Sequence, residues 1–96
     1  MAVVWLVEWN GITKEQYADL QARTEWATSP PDGLEHQVTA FSDKSLVLTQ
    51  VWKSPEHVMR FMEDRLLPAV KAMGIRSMPR VDQYPVQSVY NRDALG

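Results

Sequence analysis

The chain contains no cysteine. Neither a disulfide framework nor a thiolate zinc site can form, and the absence fits a reducing interior. Histidine is nearly as scarce: His36 and His57 are the two present, they fall on different predicted elements, and no His/carboxylate spacing suits a metal. Glycine occurs four times and never in a phosphate-cradling loop, and no Ser or Thr stands in a nucleophile-elbow context. An excess of charge is missing too. The formal charge of −2 and isoelectric point near 5.6 remove the electrostatic case for nucleic acid or an anionic membrane as partner. Long hydrophobic runs are absent. Met1–Val7 is apolar but short, lacks a basic leader and runs into Glu8, so it reads as a first strand rather than a signal peptide or membrane span. A cytoplasmic protein is the expectation, with no cofactor.

What remains is a 96-residue chain that is 45% hydrophobic, enough for one domain with a small core and too apolar for disorder. That domain is expected over residues 1–90, with 91–96 a C-terminal tail. Val3–Trp9 is rich in β-branched and aromatic residues and ends at the turn signal Asn10-Gly11. Thr13-Lys14-Glu15-Gln16 matches a capping box, with Ile12 and Tyr17 placed as a hydrophobic staple, so a helix begins at Thr13 or Lys14. Tyr17, Leu20, Thr24 and Ala27 keep helical spacing up to the breaker Ser29-Pro30-Pro31-Asp32-Gly33. Leu34–Phe41 alternates, with Leu34, His36, Val38 and Ala40 on one face and Glu35, Gln37, Thr39 and Phe41 on the other. After a hairpin turn at residues 42–45, Leu46–Lys53 is a third, mostly apolar strand.

A second helix follows through Ser54-Pro55-Glu56, an N-cap, a first-turn proline and a first-turn acid, and runs to Gly74 with a kink expected at Pro68. On a regular helical wheel Val58, Phe61, Met62, Leu66, Ala69, Val70 and Met73 form one apolar stripe, and Arg65 falls inside it. A cation on a core-facing surface needs a partner, a wet cavity or an anionic ligand, which predicts a pocket under this helix. Val81–Tyr90 has strand composition, with Pro85 demanding an edge position or a bulge.

The order β-α-β-β-α-β with right-handed crossovers gives an α+β, ferredoxin-like split βαβ arrangement: a four-stranded antiparallel sheet with two helices on one face. The other face would carry Val4 and Leu6, or their alternates, with Val47 and Val51. A small domain rarely leaves so apolar a patch in water, so the chain itself, as a sheet-to-sheet homodimer, is the expected partner.

Pro31-Asp32-Gly33-Leu34-Glu35-His36, then Val51-Trp52-Lys53-Ser54-Pro55-Glu56-His57-Val58 and Phe61, resembles the dimeric α/β-barrel superfamily, and within it the antibiotic-biosynthesis-monooxygenase-like group. The resemblance covers residues 30–68 well and the rest by element order. It implies a pocket in each subunit between the sheet and its own helices. The activities it implies are cofactor-free quinone-forming monooxygenation, haem degradation or polyketide cyclisation. Trp52 matches the pocket Trp of the monooxygenase branches. The haem-degrading branch carries an axial His near the end of its second helix, where residues 68–73 here have none.

These readings nominate specific residues for a small aromatic or polyketide-like ligand. His36 is the acid/base candidate if its strand face meets the helices, or else a core or interface histidine. Arg65 is the candidate to hold an enolate, phenolate or carboxylate, or else snorkels to solvent or pairs with Glu8 or Asp82. Trp52, Phe61 and Trp5 are candidate walls, Gln50 a candidate pocket amide and Tyr84 a candidate donor to a ligand carbonyl. His57 reads as a surface residue. A non-catalytic binding or accessory protein of the same fold is the alternative function.

Overall fold

The computed structural model describes residues 1–26 and 28–90; the expected tail at 91–96 lies outside them. Four strands, β1 (Val3–Asn10), β2 (Leu34–Phe41), β3 (Ser45–Trp52) and β4 (Arg80–Pro85), form one antiparallel sheet in the order β2-β3-β1-β4. The two hydrophobic strands are central. Pro85 closes β4 at an edge, where its missing N–H costs no ladder bond. Residues 86–90 leave the sheet after a last bond from the Val86 N–H to the Ala2 carbonyl, so β4 is shorter than its composition suggested.

Helix α1 (Lys14–Arg23) begins as its sequence dictates. Thr13 Oγ1 accepts the Gln16 N–H at 3.0 Å and Gln16 Oε1 accepts the Thr13 N–H at 2.9 Å. It ends in a Schellman motif: Trp26 N–H bonds the Gln21 carbonyl, Glu25 N–H bonds that of Ala22, and Glu25 sits at φ +56°. A glycine usually takes that left-handed position; here a glutamate does. Helix α2 (Pro55–Phe61) is capped by Ser54, whose Oγ accepts the His57 N–H. Its own backbone N–H, and then Ser54, hold the Glu56 carboxyl below the usual range.

The second helix differs from the expected kinked α-helix. Between α2 and α3 (Leu67–Ala72) lies a π-helical segment, Met62–Leu66, in which the Leu67 N–H reaches back five residues to the Met62 carbonyl. Pro68 accounts for it. Proline has no N–H, and its ring would strike the carbonyl four residues earlier, that of Asp64. Widening the turn by one residue relieves the clash and rephases everything after it. Leu66, Ala69 and Val70 stay on the core side, while Arg65 is turned to the flank.

The helices cover one sheet face with two apolar clusters. At one end Val7, Trp9, Leu46 and Leu48 of the sheet meet Leu20 of α1 and Ala69 and Val70 of α3. At the other, Val3 and Trp52 meet Val58 and Phe61 of α2. Trp5 and Leu66 touch both clusters, and the seam between them is not filled.

Candidate functional site

That seam is a cavity of about 60 Å³. Its floor is the inward row of β1 and β3, namely Trp5, Val7 and Trp9 beside Leu46, Leu48, Gln50 and Trp52, with Val81 from β4. Tyr17, Leu20 and Gln21 of α1 form one wall. Phe61 of α2 with Met62 and Leu66 of the π segment form the other, and Thr24 and Trp26 close the end. The Schellman turn is what brings Trp26 back over the opening. Its ring meets Phe61 edge-on at 5.2 Å, and Phe61 lies tilted on Trp52 at 5.5 Å.

Ligand pockets for drug-sized molecules measure about 300–1,000 Å³, so a ring system enters this one only by displacing a wall. The π segment supplies the easiest wall to displace. Met62 is half-buried and unbranched, and it stands where the helix is already widened.

The polar groups of the cavity form a continuous chain. Trp52 Nε1 donates to Gln50 Oε1 at 3.1 Å, and Gln50 Nε2 donates to Gln37 Oε1 at 2.7 Å. Gln37 Nε2 donates to Tyr17 Oη at 3.3 Å and to Thr39 Oγ1 at 3.1 Å, and Gln21 Nε2 also donates to Tyr17 Oη, at 3.1 Å. Two other indole N–H groups are served at the margins: Trp5 Nε1 by Gln83 Oε1 at 2.7 Å, and Trp9 Nε1 by the Ser77 hydroxyl and carbonyl at 3.0 and 3.2 Å. Tyr17 is the one titratable side chain among the described lining residues.

Of the seven nominated residues, Trp5, Gln50, Trp52 and Phe61 come together here. The other three do not. β2 pairs Leu34 with Trp52 but His36 with Val51, so Glu35 is an extra residue in the ladder. This bulge breaks the alternation. Leu34 packs inward, while His36 joins Val38 and Ala40 on the face away from the helices. As an acid/base in this cavity His36 is misplaced by one sheet thickness. Tyr84, paired with Val4, lies on that same outer face and is exposed.

Arg65 pairs with neither Glu8 nor Asp82. Its Nη1 donates to the carbonyls of Thr24, at 3.2 Å, and Ser29, and Nη2 reaches Ser29 Oγ at 3.4 Å. It fastens the segment after α1 to the π segment from outside the cavity.

Another constellation escaped the sequence reading. His57 is half-buried, not a solvated surface group. Ser54 Oγ lies 2.6 Å from its Nδ1, Asp32 Oδ2 lies 3.8 Å from its Nε2, and a Cβ on Gly33 (φ +89°) would collide with its ring. The residue types are those of a catalytic triad, but the geometry serves the helix start. Ser54 Oγ already caps α2, and Asp32 is exposed, beyond hydrogen-bond reach of the imidazole and shared with Arg60 at 3.9 Å. Gln37, Tyr17 and Trp26 were also missed as site residues. Gln37 carried a signal, because alternation put it on one face with Phe41 and opposite His36.

Among the described residues, no three His, Cys, Asp or Glu side chains converge as a metal site requires, and no helix is long and apolar enough to cross a membrane.

No protein-family model matches the sequence, and no curated protein matches it. Solved structures do. SnoaB from Streptomyces nogalater, described as a cofactor-independent oxygenase, is 16% identical with a TM-score of 0.68, over 92% of this chain and 95% of SnoaB. Rv0793 from Mycobacterium tuberculosis is 15% identical with a TM-score of 0.70, over 95% of this chain and all of its own. A candidate antibiotic biosynthesis monooxygenase from Chloroflexus aurantiacus is 16% identical with a TM-score of 0.64, over 94% and 98%. At these identities the likeness establishes architecture: the chain has the ferredoxin-like α+β fold of antibiotic-biosynthesis-monooxygenase-like structures.

Proposed function

We propose that the protein binds a flat, largely aromatic or polyketide-like molecule in the cavity between its sheet and helices and transforms it without a cofactor, in the manner of a monooxygenase or cyclase. The observation that carries this reading is the cavity itself: an indole- and phenyl-walled seam with one oriented chain of amides and no other polar lining of consequence. The fold shared with SnoaB, described as a cofactor-independent oxygenase, supports it. His36 and Arg65 have no catalytic part in the reading, since neither lines the cavity. Ionisation of the bound molecule therefore rests on its own acidity, with the amides stabilising the developing oxygen anion.

One observation favours a second reading, a non-catalytic binding or accessory protein. No Asp, Glu, His, Lys or Arg is among the described lining residues. A carboxylate, imidazole or amine base, worth roughly 10²–10⁴-fold in rate, is thus absent from the described wall, which leaves Tyr17 as its one titratable group.

Anthrone, a tricyclic ketone whose methylene group is acidic in its own right, separates the readings. Binding is followed by tryptophan fluorescence and turnover by oxygen uptake. Saturable quenching with uptake above the protein-free rate supports the enzyme. Quenching without uptake supports the accessory protein, and absence of both removes anthrone-like ligands from consideration. The reading includes a homodimer through the outer sheet face, which the described residues of a single chain leave in water.

A further inference from the structure

The hydrogen-bond chain in the cavity has a direction, and one tryptophan sets it. An indole N–H donates and cannot accept. The Gln50 atom 3.1 Å from Trp52 Nε1 is therefore Oε1, and the other end of the same amide, Nε2, faces Gln37. Gln37 must then present its oxygen, which turns its own Nε2 toward Tyr17 and Thr39. Tyr17 Oη accepts from both Gln37 and Gln21, so its single proton goes to Thr39 Oγ1 at 3.2 Å. Neither Gln50 nor Gln37 can flip without setting two donors or two acceptors face to face.

The hydrogens of this chain do not balance. A primary amide carries two N–H groups. Gln37 uses both, one to Tyr17 and one to Thr39. Gln21 and Gln50 each use one; Gln21 is half-buried, whereas Gln50 is buried, and among the described residues no acceptor takes its second N–H. Gln50 is 6% exposed and lines the cavity, so bulk water does not serve the spare group. A buried donor left without a partner is unfavourable, and an oxygen entering the cavity would relieve it.

We infer that the spare Nε2–H of Gln50 is the group that orients the ligand, and that the ligand is an uncharged flat ring compound bearing a carbonyl-type oxygen. The inference rests on the pocket reading above and narrows its ligand class. A carboxylate or phosphate is disfavoured, because it would lose its hydration where no cation lines the wall. A ligand with donors alone would meet the amide N–H head-on. A plain hydrocarbon would fit the walls and leave the donor unmatched.

1-Indanone and indane test this, since they share a bicyclic frame and differ by C=O against CH2. Affinities are measured by tryptophan fluorescence, and the Gln50 side-chain amide is followed by proton–nitrogen NMR. Indanone is expected to bind on the order of 3–10-fold more tightly than indane, the net worth of one neutral hydrogen bond. One Gln50 Nε2 proton should move downfield with indanone and not with indane. Gln50→Met keeps the chain length without the amide and should bind both compounds equally. Should that variant fail to fold, the NMR shift in the unaltered protein decides alone. Equal affinities with no Gln50 shift overturn the inference and leave the pocket reading standing. A carbonyl preference that survives in Gln50→Met, or a shift at some other donor, also overturns it. If neither compound binds up to its solubility, the pocket reading fails and the inference falls with it.

Discussion

The two faces of the sheet are cut from the same strands, yet they end in different states. Along β1, Val3, Val7 and Trp9 are buried under the helices, while their neighbour Leu6 is 43% exposed. Val38 on β2, Val47 on β3 and Tyr84 on β4 share its face at 52%, 37% and 53%. Strand periodicity forces this split, since consecutive side chains point to opposite faces. The inner face is completed by the chain's own helices and keeps only a narrow seam. The outer face interleaves Val4, Leu6, Val38, Val47 and Val51 with Glu8, Thr49 and Asp82, and among the described residues no helix covers it. Large apolar patches on small domains are in general interaction surfaces, and the occupant we propose is a second copy, which offers the same patch in return. Stable homodimers bury about 1,200–2,000 Å² or more in total.

Substitutions on the two faces should act on different properties. Lysines at Val38 and Val47 together put like charges on the outer face and are expected to abolish association at micromolar concentration. The fold should change by no more than about 0.5 kcal/mol at each site, as for exposed positions generally. Size-exclusion chromatography paired with urea denaturation separates the two effects. On the inner face Trp52 is 1% exposed, and Trp52→Ala should cost about 3–5 kcal/mol by leaving a void beside Phe61; loss of under 1 kcal/mol would mean the cavity collapses freely.

Arg65→Met tests the fastening of the Thr24–Ser29 segment. Charged hydrogen bonds contribute about 1.5–3 kcal/mol, and the half-exposed setting places the expected loss near the bottom of that range. Ligand affinity should fall only through loosening of Trp26. Glu25→Gly removes a left-handed non-glycine residue, a conformation costing roughly 1–2 kcal/mol; thermal unfolding should report a gain of about 1 kcal/mol once the entropy of glycine is set against it.

The smallest effect is at acid pH. The folded Glu56 carboxyl is depressed, so its contribution is present above its unfolded-state pKa and lost as pH falls through the lower folded value. Stability curves of the unaltered protein and Glu56→Gln should therefore converge in that acid window.

Much of the molecule was readable from residues because local signals agreed with the fold. Thr13–Gln16 capped α1, Ser54-Pro55 opened α2, and alternation along β3 put Leu48, Gln50 and Trp52 on one face and Val47 and Val51 on the other, while the inward row of β1 was left open. Two one-residue insertions account for the misplacing of His36 and Arg65. The bulge at Glu35 reverses the faces of β2 downstream of Leu34, which took His36 to the outer face and put Gln37 beside the cavity residue Gln50. The π turn before Pro68 rephases the long helix, which took Arg65 off the apolar stripe. A fixed period of 2.0 or 3.6 contains no term for either. Pro68 was visible, but its effect was expected as a bend at the proline rather than a widened turn ahead of it. The face of Tyr84 depended on the β1–β4 register, which strand composition does not encode.

One face of the sheet is completed within the chain, and the other is proposed to pair with a second copy. Sedimentation equilibrium of the unaltered protein at low micromolar concentration measures that contrast directly. A species of twice the 11.0 kDa chain mass is the expected result, dissociating when Val38 and Val47 carry lysine. A well-folded monomer of 11.0 kDa, with Val38 and Val47 in place, would contradict it.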